Sequence, residues 1–174
     1  MKKKKDNIIL TIFILTFILS IVFSGISNVV AATFNDVVLF IIMILVIVIG
    51  IVFDVIGTAS ITANEATFHS MSSKKIKGAK ECISIIKNSS SISSFCNDVV
   101  GDVCGIVSGG LGAVLAISIS SSTNLDNTLV SVLLSAFISS FTVGGKAIFK
   151  RVAIKNSDKI IFMVGKLKSI FKIK

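Results

Sequence analysis

Two stretches of the chain, 8–23 and 37–53, are almost uninterrupted Ile, Leu, Val, Phe and Met. About 20 such residues, wound as a helix, cross the ~30 Å hydrocarbon layer of a bilayer. Two later stretches keep an apolar majority but interleave Gly and Ser. The pattern predicts spans at 8–26, 37–57, 99–120 and 128–149, and the fold class that follows is all-α, a polytopic transmembrane helical bundle. Two further segments alternate apolar and basic positions with helical period and are predicted to lie on the membrane surface. In the first, Ile76, Ala79, Ile83 and Ile86 form the apolar stripe. In the second, 158–174, the stripe is Ile160, Met163, Val164, Leu167, Ile170 and Phe171. Asn88–Ser94 reads as a serine-rich loop.

Charge orients this plan. All 18 Lys and Arg fall in 2–5, 74–87 and 146–174, and the net charge is +9. Basic residues collect on the cytoplasmic side of spans, so both termini and 58–97 are expected inside a cell (inner or plasma) membrane. The loops 27–36 and 121–127 are then outside. This placement accounts for the positive charge without nucleic acid; the expected partner surface is the anionic leaflet of the lipid bilayer. The apolar share is 53% and the mean hydropathy +0.94, both in keeping with a membrane protein. The first span admits two readings. It is an uncleaved anchor, or, with Val30-Ala31-Ala32 as a small-residue cleavage site, a signal peptide; its length favours the anchor. Three organisational parts result: 1–36, anchor plus external loop; 37–160, a membrane domain; 161–174, a basic amphipathic helix.

The candidate chemistry is polar residues inside apolar spans. Asp98, Asp102, Gly105 and Gly109 step by four, three and four, which puts carboxylates and glycines on one helical face. Glycine at that spacing lets helices approach closely in lipid, so the stripe is expected to face a neighbouring helix. Asp54, Thr58, Thr62 and Glu65 line one face of the second span and its continuation. Ser131, Ser135, Ser139, Thr142 and Lys146 form a stripe on the fourth. Asp54, Asp102 and Lys146 each lie about one turn from the basic end of a span. Ionisable groups within spans are costly and point to function; an Asp102–Lys146 ion pair holding the bundle is the structural alternative. Cys82, Cys96 and Cys104 lack metal-type spacing. No nucleophile–base pair or phosphate loop is visible, so the chain does not read as an enzyme, and no bound cofactor is expected.

These motifs resemble the membrane domain of the cyclin M / CorB–CorC group of magnesium (and cobalt) transporters over about 120 residues. Thr62-Ala63-Asn64-Glu65-Ala66-Thr67 lines up with the family's Ser-Gly-Ser-Glu-Thr-Ala-like stretch, followed by Ser70-Met71-Ser72; a second register puts Gly57-Thr58 on its Gly-Ser pair. Gly101-Asp102 corresponds to its Gly-Asn. Gly145-Lys146-Ala147-Ile148-Phe149-Lys150 corresponds to its Gly-Glu-x-x-Pro-Lys. The resemblance implies a divalent cation, Mg²⁺, as substrate ion, held by the hard oxygen donors that suit it. On that mapping Thr62, Asn64, Glu65, Gly101 and Asp102 hold the metal, with Asp54, Thr58, Asp98, Thr142 and Lys146 as further intramembrane polar candidates. The expected assembly is a homodimer. The sequence departs from the family in four ways. Lys146 stands where the family has an acid, Phe149 stands where it has Pro, the first span is an addition, and the paired nucleotide-binding regulatory modules have no counterpart in these 174 residues. The alternative is therefore a non-transporting membrane scaffold or partner subunit in which the Lys146 ammonium replaces the cation. A third reading is a membrane-perturbing protein acting through its two basic amphipathic segments.

Overall fold

The computed structural model describes residues 2–171, with side chains from 13 to 170 apart from 28, 31 and 32. The side chains of Lys2–Lys5, Ala31, Ala32 and Phe171, and residues 172–174, lie outside that description. The chain is all-α, with no strand among the described residues. Its elements are α1 (Lys2–Thr33), α2 (Asp36–Thr62), α3 (Glu65–Ser73), α4 (Ala79–Lys87), α5 (Ser89–Ser94), a π-helical turn (Phe95–Gly101), α6 (Asp102–Thr123), α7 (Asn127–Lys155) and α8 (Ser157–Phe171). The sequence contains no proline, so nothing removes a backbone donor inside these long helices. Asn124, at φ 55°, ends α6 in the left-handed conformation that asparagine tolerates. The Asp126 carboxylate then accepts from the Thr128 N–H at 3.2 Å and opens α7.

Three helical segments among the described residues are long and apolar enough to cross a membrane: Asp36–Thr62, Ser89–Thr123 and Asn127–Lys155. In α1 the described apolar stretch is the shorter Phe13–Ser27. The segment at 89–123 starts ten residues before the expected span. The serine-rich stretch read as a loop is helical instead, and its residues lead through the π turn into α6. Polar serines fit a helix when their hydroxyls find local partners; buried Ser93 accepts from the Asn97 amide at 3.2 Å.

The structure divides into two compact units, Met1–Gly50 with Gly101–Gly144, and Ile51–Val100 with Gly145–Lys174. The core of the first unit is Leu39, Met43 and Ile47 of α2, Val103, Val107, Leu111 and Leu115 of α6, and Val130 and Ile138 of α7; α1 packs along α6. Close approach occurs at Gly50, where a Cβ would stand 2.9 Å from Cys104 Cβ, and at Gly112, against Ile138 Cδ1. Gly105 and Gly109 do not fill that role: a Cβ at either would meet nothing within 4 Å. The 98/102/105/109 stripe therefore faces outward in this chain, contrary to expectation, because the bulkier Val103, Val107 and Leu111 take the buried face. α7 is the least covered of these three apolar segments, with 11% of its most apolar stretch buried and Val132, Leu133 and Val143 exposed. An exposed apolar face of that extent needs lipid or another apolar surface.

The second unit is built on Ala59, Phe68, Cys82, Ile85 and Ile161, all buried. Gly78 turns the chain from the α3–α4 loop into α4 at φ 93°, a conformation glycine alone adopts without strain. The face of α4 turned inward is Ala79, Cys82 and Ile85, which shares only Ala79 with the expected stripe. Ile76 precedes the helix, and Ile83 and Ile86 flank the cluster. The expected surface helix α4 is thus packed against α3 and α8.

Burial, with the Glu81 carboxylate beside it, pushes the Cys82 thiol from 9.0 up to about 11. A folded-state pKa above the unfolded one means that the folded state holds the proton longer. Stability is then full below about pH 9 and falls as pH rises towards about 11. The full shift corresponds to roughly 3 kcal/mol. Unfolding in detergent across this range should show the loss, and Cys82→Ala should flatten it. A slope unchanged in Cys82→Ala would assign it to the lysines.

Candidate cation site

One row of α2 carries the core along the helix: Leu39, Met43, Ile47, Ile51, Asp54 and Thr58 are all buried. The spacing of four, four, four, three and four is that of a single helical face. The row is apolar as far as Ile51 and polar after it, so Asp54 and Thr58 occupy positions that the fold treats as core, at 7% and 6% exposure. The π turn presents Asn97 to this part of α2. Its Oδ1 points at Gly57, where any Cβ would collide with it. Gly57 is therefore the position that admits the carboxamide. Single π turns recur at functional sites because the extra residue re-aims a side chain.

Asp54 Oδ2, Thr58 Oγ1 and Asn97 Oδ1 are all buried, and none has a hydrogen-bond partner among the described residues. Thr58 is the informative case. Helical Ser and Thr hydroxyls usually donate back to a carbonyl three or four residues earlier. Ser60 does so to Gly57 at 2.7 Å, Thr62 to Thr58 at 3.0 Å and Thr142 to Ile138 at 2.8 Å. Thr58 does not. Each buried polar group left unsatisfied costs about 1–3 kcal/mol; α2 carries two, and the π turn packed against Gly57 carries the third. The atoms are all oxygens, one of them on a carboxylate, which is the donor chemistry of a hard cation.

The other sequence-expected residues are placed elsewhere. Asn64 caps α3, accepting from the Ala66 N–H at 3.0 Å, and its own N–H donates to Asp158 Oδ1 at 2.8 Å. Thr67 donates to Asp158 Oδ2 at 3.1 Å, and Ser157 to the Thr62 carbonyl at 3.3 Å. Thr62 and Asn64 line a pocket of about 260 Å³ with Lys155, Asn156, Ser157, Asp158 and Lys159. Its two lysines suit an anion better than a cation. Glu65 pairs with His69 one turn on at 3.1 Å. Asp98 is exposed; Gly101, buried, and Asp102, exposed, belong to the first unit. Thr142 and Lys146 are half-buried on α7. Among the described residues no cluster of three His, Cys, Asp or Glu could hold a metal ion.

Asn97 was not legible as a site residue. The sequence drew attention to the acids on either side of Gly101, and Asn97 lies ahead of the expected span at 99–120. The usable signal was Gly57, a glycine between Asp54 and Thr58 on the polar end of the α2 row.

No protein-family model matches the chain, and neither a curated protein nor a solved structure matches it significantly.

Proposed function

We propose that the chain is a multi-pass integral membrane protein that binds a divalent cation and moves it across the membrane, with Asp54, Thr58 and Asn97 as donors. Mg²⁺ is the leading ion and Co²⁺ the second. The observation that carries the reading is three buried oxygens without hydrogen-bond partners among the described residues, two on the polar end of the α2 row and one on the π turn packed against Gly57. One carboxylate with neutral oxygens and retained waters is a usual way for a protein to hold Mg²⁺. In this reading α1 is the fourth span, both termini lie on the basic, cytoplasmic side of the cell membrane, and the exposed faces of α1 and α7 meet lipid and a second copy of the chain in a homodimer.

The full chain, purified in detergent, is expected to bind Mg²⁺ in a calorimetric titration and, in liposomes, to carry Mg²⁺ down its gradient. Thr58→Val keeps the shape and removes the oxygen; affinity should drop about tenfold or more. Thr62→Val removes a hydroxyl already used within the helix and should leave affinity unchanged. Equal effects of the two substitutions would move the site to the sequence-mapped residues Thr62, Asn64 and Glu65. Absence of both binding and flux above protein-free liposomes would sink the transport reading and leave the scaffold in which Lys146 replaces the ion.

A further inference from the structure

The pocket at the start of α8 is separate from the cation site and has the opposite charge. Of its three charged side chains, the Asp158 carboxylate is already engaged, one oxygen by the Asn64 N–H and the other by Thr67. Lys155 and Lys159 remain, exposed at the rim. A phosphate oxyanion is the ligand that two ammonium groups at a polar cleft accept most readily.

The rest of α8 says which phosphate. Its packed face is Ile161, Gly165 and Ser169, all buried. The face turned away from the protein carries Met163, Leu167 and Ile170 at 62%, 57% and 54% exposure. At 100° per residue these three centre almost opposite the packed row, and Lys159 and Lys166 border them on one side. A helix with one face packed, an apolar stripe on the other and lysines beside the stripe has the composition of an interfacial helix, with the stripe at the acyl boundary and the ammonium groups at headgroup level. We propose that the Lys155–Lys159 pocket binds the headgroup phosphate of an anionic phospholipid whose acyl region meets the α8 stripe.

Native mass spectrometry of the full chain in neutral detergent, with phosphatidylglycerol or phosphatidylcholine added, tests this. Phosphatidylglycerol should be retained in preference to phosphatidylcholine. Lys155→Gln with Lys159→Gln should weaken retention about tenfold or more, from the loss of two cations near the headgroup. Arginine at both positions should restore it. Met163→Ser with Leu167→Ser should also weaken retention, with helicity and melting temperature unchanged in every variant. Equal retention of the two lipids, or indifference to the lysine pair, overturns the proposal. Displacement by millimolar inorganic phosphate, with no effect of the stripe variant, overturns it in favour of a free-phosphate site.

Discussion

Asp54→Asn is expected to abolish Mg²⁺ binding and at the same time to raise the melting temperature of the ion-free protein. The two effects have one cause. Asp54 lies on the core row of α2 with Oδ2 buried and unpartnered, and a buried carboxylate without compensation destabilises the fold that holds it. Asparagine has the same shape, no charge, and two N–H donors in a turn where Thr58 Oγ1 and Asn97 Oδ1 take none. The ion-free gain should be about 1 kcal/mol. The native protein should instead gain stability from the ion, by about 2.7 kcal/mol at an ion concentration one hundred times Kd, and the variant should gain none. Melting can be followed with a thiol-reactive dye, because the chain has no Trp or Tyr and Cys82 and Cys96 are buried free thiols. A variant that is less stable than native without ion and still shifts with Mg²⁺ would make Asp54 a structural residue.

That opposition between stability and function explains which parts of the molecule the sequence made legible. Span positions follow from runs of apolar residues, because burial in lipid needs only length and composition. Asp36–Thr62 and Asn127–Lys155 accordingly contain the expected 37–57 and 128–149, each extended at its ends. Which face of a span turns inward is harder. Apolar residues occupy both faces in lipid, so hydrophobicity gives no contrast, and the choice falls to packing. On α6 the glycine and aspartate stripe looked like the contact face, yet Val103, Val107 and Leu111 are buried while Asp102 is exposed. On α2 the contrast survived because Asp54 and Thr58 continue the spacing of Leu39, Met43 and Ile47. Two of the three residues of the candidate site were therefore readable from the sequence. Asn97 was hidden by the π turn, whose extra residue breaks the 3.6 period by which faces are counted. The surface helices divide in the same way. Of the expected α8 stripe, Met163, Leu167 and Ile170 stay outward while Ile160 and Val164 pack against the second unit's core, whereas α4 spends its apolar residues on the packing of that unit.

Gly165→Val is expected to separate α8 from α4 and to have the largest effect on stability of any single substitution in the second unit. A Cβ at 165 would collide with Cys82 Sγ and stand 3.0 Å from the Gly78 carbonyl oxygen and 3.2 Å from the Cys82 nitrogen. A thiol can turn aside, but the two backbone atoms belong to the start of α4, and Gly78 is itself held by its positive φ and by Lys166, whose Cα would lie 3.0 Å from a Cβ there. Neither helix can yield locally, so the loss should reach about 3 kcal/mol or more. Cys82 reports the separation directly. In the native protein its thiol donates to the Ile161 carbonyl at 3.3 Å and its raised pKa leaves little thiolate near pH 8, so labelling by a maleimide should be slow; in the variant it should be fast. Cys82→Ala combined with Gly165→Ala should recover part of the stability lost by Gly165→Ala alone, since the thiol collision is relieved and the backbone contacts are not. The same Gly→Ala change at Gly105 or Gly109, where a Cβ meets nothing, should be neutral or stabilising by up to about 1 kcal/mol, from helix propensity alone. A Gly165→Val protein that melts like the native one with Cys82 still protected would show that α8 docks on α4 without needing the glycine, and the close packing at that crossing would have to be abandoned.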